Sequence, residues 1–290
     1  MNVKRLNSAP NRTEEIIDQL TLFDDQLMSK VFSKNREAAN LLLRIILQRE
    51  DIEVLDVAAQ KQFPNPRVNG RNVQLDIVAG DKTGKLYNIE VQKENSGANM
   101  KRARFHSAVL DTTMLMKGQK FIELADSYVI FITLKDYLGK GLPLYHYHRK
   151  CDETDEFADD GSHFIYVNGE YRGDSPLGKL MHDFSCADPD QCQYEELKKG
   201  IKHYKKGGGR SEMNDLIEEY AQEVAREAAQ KSKIEGKIEG KIEGKIEGAR
   251  ETLIRNLQSL MENLKLTLDQ AMQTLNVSAE EQEVIRGLMK

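Results

Sequence analysis

The chain of 290 residues has only three cysteines, no apolar run near membrane-span length and no surplus of positive charge. Each shortage closes a class of function. Cys151, Cys186 and Cys192 are odd in number and lack CxxC spacing, which argues against a disulfide framework and a simple zinc site. A membrane helix needs roughly 20 consecutive apolar residues, so no span is expected and a membrane partner is excluded. Lys4 and Arg5 have no apolar run behind them, so the N-terminus does not read as a secretory signal, and a cytoplasmic protein with reduced thiols is expected. A net charge of −5 speaks against indiscriminate nucleic-acid binding, which needs a broadly basic surface. Any DNA contact must then be local.

What is present is patterned. Ile16, Ile17, Leu20 and Phe23, then Leu41, Leu42, Ile45 and Ile46, recur at three- and four-residue spacing and predict helix over 13–49, with Asn35 as an N-cap. Residues 54–63 turn β-like, 64–70 supply turn chemistry, and strands over 72–78 and 86–92 are joined through Asp81-Lys-Thr-Gly84. A helix over 99–117 and an apolar strand over 127–134 follow. Residues 135–200, with a strand at 163–167 and a helix at 177–184, read as elaboration on the same core. His146, His148 and Cys151 could approach one another as metal ligands do, but 143–148 alternate like an ordinary half-buried strand.

The first domain is taken as 1–206, ended by a hinge at Gly207-Gly-Gly209. Residues 207–248 contain Lys233-Ile-Glu-Gly236 repeated four times, and 249–290 read as a small helical tail. At about 100° per residue the repeat lays down stripes of Lys, Ile, Glu and Gly that drift about 40° per repeat. Its glycines and like-charge neighbours make it a weak helix alone. It serves either as a surface for pairing with a second copy, giving a homo-oligomer, or as a charged spacer.

The chemistry concentrates in the central hairpin. Val73, Leu75 and Ile77 are apolar at alternate positions, as are Tyr87, Ile89 and Val91. Strand side chains alternate faces, so packing both sets on one core gathers Asp76, Glu90 and Gln92 on the other face. Two antiparallel registers satisfy this parity, one with Asp76 opposite Glu90 and one with Asp76 opposite Asn88. Either brings the carboxylates within about 4.5–8 Å. Such a pair repels unless a cation such as Mg²⁺ or Mn²⁺ sits between, or unless both acids simply point to water from an edge hairpin.

The run Leu75-Asp76-Ile77, the segment Tyr87-Asn-Ile-Glu90-Val-Gln92, and then Lys101-Arg-Ala-Arg104-Phe-His106 resemble the Rpn family of recombination-promoting nucleases and transposases. The likeness extends over about 24–184 and takes in Gly141-Leu-Pro-Leu-Tyr145 and Leu180-Met-His-Asp-Phe184. That family is a branch of the PD-(D/E)XK nuclease superfamily. The resemblance implies an α/β fold with a restriction-endonuclease-like αβββαβ core, here followed by an α-helical C-terminal tail, and a Mg²⁺-dependent endonuclease acting on DNA in rearrangement.

By the same resemblance Asp76 is the motif aspartate and Glu90-Val-Gln92 stands where the pattern has (D/E)XK, making Asp76 and Glu90 metal ligands and Gln92 the third catalytic residue. Glutamine can donate a hydrogen bond but carries no charge. Weaker catalysis, substitution by Lys93 or another cation, and lost activity all remain open. The superfamily often adds an acid from the first core helix, for which Glu37 is the candidate. Lys101, Arg102 and Arg104 form a local excess of base for DNA phosphates; Lys101 and Arg104 share one helical face, Arg102 and His106 another, with Arg104 preferred as the phosphate ligand. The rival reading is a catalytically impaired protein that keeps the fold and binds DNA or associates with itself.

Overall fold

The computed structural model describes residues 12–65 and 69–289. The N-terminal stretch read above for a secretory signal, and the middle of the turn at 64–70, lie outside them.

Three helices open the chain where a helical span divided at Asn35 is expected: α1 (Arg12–Gln19), α2 (Asp25–Phe32) and α3 (Arg36–Leu47). The break between α2 and α3 has local causes. Lys34 adopts φ 57°, and the Asn35 side chain caps α3 by accepting from the Ala38 N–H at 3.1 Å. Strands β1 (Val54–Phe63), β2 (Val73–Asp81) and β3 (Leu86–Gln92) form an antiparallel meander. Helix α4 (Met100–Met114) then carries the chain across to β4 (Ser127–Thr133), which pairs parallel with β3. Together α3, β1, β2, β3, α4 and β4 make the αβββαβ core.

Strands β5 (Leu144–Tyr147) and β6 (Ser162–Asn168) extend the sheet to the order β1-β2-β3-β4-β6-β5, with β6 parallel to β4. Every residue of β4 is buried, as a central strand covered on both faces requires. Ile130 and Ile132 face a core built with α1, α2, α3, α5 (Pro176–Ser185) and α6 (Glu195–Lys206), while Val129 and Phe131 face Ala103 and Leu110 of α4. The result is a three-layer sandwich. Among the described residues no helix is long and apolar enough to cross a membrane.

The Leu180–Phe184 segment has a structural task. Asp183 is wholly buried and accepts the backbone N–H groups of Gln193 and Tyr194 at 2.8 and 2.9 Å, tying α5 to the start of α6. Asp183→Ala would leave two donors without partners, so it should cost roughly 2–6 kcal/mol, taking 1–3 kcal/mol for each orphaned group. Urea denaturation measures this, and a loss under about 1 kcal/mol would mean that water replaces the carboxylate.

Helix α7 (Arg210–Leu264) begins after Gly207–Gly209. Its first turns belong to a compact unit that runs through Glu219, where Met213 and Ile217 join the first core. A chain cut after Gly209 would lose those contacts, whereas one ended after Glu219 would keep them. The second unit, Tyr220–Lys290, holds the repeat within α7 and packs Leu257 against α8 (Leu268–Thr274) and α9 (Ala279–Leu288) through Ala271, Met272 and Ile285. Ser278 caps α9 by accepting from Glu281 N–H at 3.4 Å. The repeat is helical throughout, and Ile234, Ile238, Ile242 and Ile246 are all exposed.

Candidate active site

The hairpin ladder pairs Ile77 with Ile89, so one further step sets Asp76 opposite Glu90. At that step the backbone ladder stops and the side chains take it over. Asp76 N–H donates to Glu90 Oε1 at 3.3 Å, and Val91 N–H donates to Asp76 Oδ2 at 3.1 Å. On the other edge of β2 the pairing with β1 is interrupted at the same level. Ala59 pairs with Ile77 and Lys61 with Leu75, and Gln60 between them adopts φ 52°, a conformation that non-glycine residues rarely take in a strand. At this kink β2 also changes cores, Leu75 facing the α4 side and Ile77 the opposite side. The acids are not on a wet edge. Asp76 is 8% exposed and Glu90 0%, because β3 is an inner strand and α4 covers its acid-bearing face.

Helix α4 brings a positive partner. Its N-terminus is set by Asn99, whose side chain accepts from Arg102 N–H at 3.0 Å. The Arg102 side chain turns inward, donating from Nη2 to Glu90 Oε2 at 2.6 Å and from Nη1 to Gln92 Oε1 at 3.3 Å. Arg102 Nε donates to His106 Nε2 at 3.4 Å, and His106 Nδ1 lies 3.4 Å from Glu90 Oε1. Asn88 Nδ2 lies 3.1 Å from the same nitrogen. Gly97 makes room for this network, since a Cβ there would fall 2.1 Å from Gln92 Oε1. The sequence paired Arg102 with His106 on one face but gave no reason to prefer that face. His106 as a partner of Glu90, and Asn88 as a partner of His106, were missed.

Other expected residues go elsewhere. Arg104, the preferred phosphate ligand, is exposed on the outer side of α4, because the inward face is taken by Ala103, His106 and Leu110. Lys101 is also exposed, yet it lines a groove of about 600 Å³ with Arg71, Gln74, Arg102, Phe105 and His106. Glu37 does not join the acid pair. It is exposed on α3 and lines a separate groove with Asn40, Arg44, Tyr194 and Lys199.

The helix-layer acid whose charge acts on Asp76 is Asp25, in the first turn of α2. Protein mass on its inner side, then neighbouring Asp24, raise the Asp25 pKa, although its outer side is open to water; Lys93 opposes them. Reading 13–49 as one span hid the start of α2, and with it the first-turn acid that a helix dipole favours. Lys93, one residue past β3, turns to α2 and pairs with Asp24.

The electrostatics are unbalanced. Burial first, then the charges of Glu90 and Asp25, push the Asp76 carboxyl up to about 8, against the Val91 N–H and Arg102. Two adjoining carboxylates with one guanidinium leave room for a further cation, and hard oxygen donors suit Mg²⁺ or Mn²⁺. No group of three or more His, Cys, Asp or Glu able to hold a metal ion occurs among the described residues. The protein would therefore supply two carboxylates and leave other positions to water and substrate, as is usual for Mg²⁺ at phosphate sites. His146 and His148 have ring centres 6.2 Å apart and Cys151 is exposed, so they add no such group.

Against this geometry, a sequence model of the PD-(D/E)XK nuclease family transposases matches residues 23–168, half of the chain. The chain belongs to that family. The matched span of this PD-(D/E)XK nuclease family transposase runs from the residues just before α2 to the end of β6, and so contains Asp25, Asp76, Glu90, Gln92 and Arg102 while leaving α5, α6 and the C-terminal unit outside. Family membership implies a nuclease-like hydrolase with DNA as substrate. No curated protein and no solved structure matches the chain.

Proposed function

We propose that this protein is a Mg²⁺- or Mn²⁺-dependent DNA endonuclease that acts in the cytoplasm on DNA undergoing rearrangement. The observation that carries the reading is the pair of buried carboxylates, Asp76 and Glu90, linked through each other's backbone where the hairpin ladder opens. Asp76 and Glu90 would hold the ion, with Asp25 at the rim within electrostatic reach. When bound, a divalent ion supplies Lewis acidity to the scissile phosphate and a more acidic water. Gln92 holds its amide beside Glu90 and can orient a water or phosphate oxygen by donating from Nε2. Arg71, Lys101 and Arg102 border the adjoining groove and supply positive charge for the DNA backbone.

Supercoiled plasmid tests the reading directly. Nicked and linear products should form with Mg²⁺ or Mn²⁺ and disappear with chelator. Cleavage that survives chelation would remove the metal role, and binding without cleavage in either metal would favour a catalytically impaired DNA-binding protein.

The C-terminal unit supports an additional reading, assembly with a second copy. The four repeat isoleucines are 53–57% exposed in a row, flanked by Lys on one side and Glu on the other. In a parallel pair joined through that row, the Lys stripe of each helix faces the Glu stripe of its partner; an antiparallel pair sets like charges together. Ile238→Asn with Ile242→Asn in the full chain should convert an oligomer to monomer in sedimentation velocity. Identical sedimentation of variant and parent would leave the repeat as a spacer.

A further inference from the structure

The geometry points to Arg102 as the residue that supplies the positive charge missing at Gln92, shared between Glu90 and the phosphate of the substrate. The inference rests on Asp76 and Glu90 being the metal-holding pair.

Four observations converge on this residue. Gln92 ends in an uncharged amide, and Arg102 stands within hydrogen-bond distance of both it and Glu90. The other nearby cation, Lys93, is paired with Asp24 at the N-cap of α2. The guanidinium is also aimed, since Gly97 O accepts from Nη1 at 3.1 Å, His106 takes Nε, and the Phe131 ring lies 5.9 Å from Cζ. Finally, the Arg102 side chain is 32% exposed while Glu90 is 0% exposed, so one flank stays in the groove bordered by Arg71, Lys101 and Phe105.

A lysine ammonium is a point charge, whereas a guanidinium is a planar fork that can hold a carboxylate with one nitrogen and present another to a phosphate oxygen. Arriving from the helix instead of the strand, Arg102 needs the short Gln92 amide and the bare Gly97 backbone to reach Glu90. The same proximity has a second consequence. Arg102 occupies Glu90 Oε2 and carries a charge of the same sign as a metal ion, so it opposes metal binding while assisting the transition state. A residue that merely held Glu90 in place would do the reverse.

Calorimetric titration with Mg²⁺ or Mn²⁺ and single-turnover cleavage of plasmid DNA separate these roles. Arg102→Gln should bind the ion more tightly, by roughly five- to tenfold, and cleave at saturating metal about 100-fold more slowly. Adding Gln92→Lys to Arg102→Gln restores a cation to the strand, so the double variant should regain cleavage to within about tenfold of wild type and weaken metal binding again. Arg102→Lys keeps the charge and should fall between, which guards against a loss of activity that comes only from misfolding.

Metal affinity that is unchanged or weaker in Arg102→Gln overturns the proposal, as does a double variant no faster than Arg102→Gln alone. A wild-type chain that neither binds metal nor cuts DNA defeats the underlying nuclease reading and this inference with it. One that binds metal without cutting defeats only the nuclease reading, and the affinity change in Arg102→Gln then decides the place of the guanidinium.

Discussion

Asp76→Asn is expected to lower single-turnover DNA cleavage by about 10³ or more, the scale set by losing several kcal/mol of transition-state charge stabilisation. It should also abolish the rise in melting temperature expected when Mg²⁺ is added to the wild type. Asparagine keeps the shape of the side chain, and its carbonyl oxygen can still accept from Val91 N–H, so the hairpin should survive. What it cannot do is give up a proton and ligate the ion as a carboxylate. Ligands that bind only the native state stabilise by mass action, so the metal-induced shift measures site occupancy apart from catalysis. Equal shifts in wild type and Asp76→Asn, read by differential scanning calorimetry, would show that metal binds elsewhere.

The second large effect is on pH. Burial, then Glu90 and Asp25, push Asp76 up to about 8, so the metal-free protein keeps this proton at neutral pH. An ion must displace it, because a carboxylate ligates in its ionised form. One proton released per ion makes metal affinity rise about tenfold per pH unit well below that value, or roughly 50-fold between pH 6 and 8.

The sign for stability is opposite. In the unfolded chain Asp76 titrates near its ordinary 3.8, so between there and about 8 the native state binds more protons. This contribution is fully present below the lower value, falls as pH rises, and is gone above the upper one. In chelator the melting temperature should therefore drop across pH 5–8 more steeply for wild type than for Asp76→Asn. Parallel curves would mean that Asp76 titrates normally.

The local chemistry of this site was legible in the sequence where β3 and the adjoining end of β2 obey a period of two. The parity of Tyr87–Val91 holds and puts Glu90 and Gln92 on one side, whereas that of Val73–Ile77 breaks at the kink, Val73 and Leu75 packing on the α4 side and only Ile77 joining Tyr87, Ile89 and Val91; the hairpin adopts the register that sets the two acids opposite each other. Parity says nothing about what covers a face. That the acids are buried depends on α4 folding back over β3, a contact between segments whose own patterns are silent about each other.

The same limit explains Arg102 and Arg104. Two helical faces carried basic residues, and only packing of Ala103 and Leu110 against Val129 and Phe131 selects the one that looks inward. Glu37 failed for a different reason. The cap at Asn35 was legible, but the periodicity of 13–49 hid the break after Gln19 that starts a separate helix at Asp25, the acid whose charge acts on Asp76. The kink at Gln60, which lets Leu75 and Ile77 serve opposite cores, has no glycine or proline to announce it.

Where β2 and β3 part, carboxylate oxygens hold two backbone N–H groups that carbonyls would hold in an unbroken hairpin. Any occupant of the site must share those oxygens with the sheet itself. A ligand arriving there would act on the separation of the two strands directly, through the same oxygens that hold Asp76 and Val91 N–H.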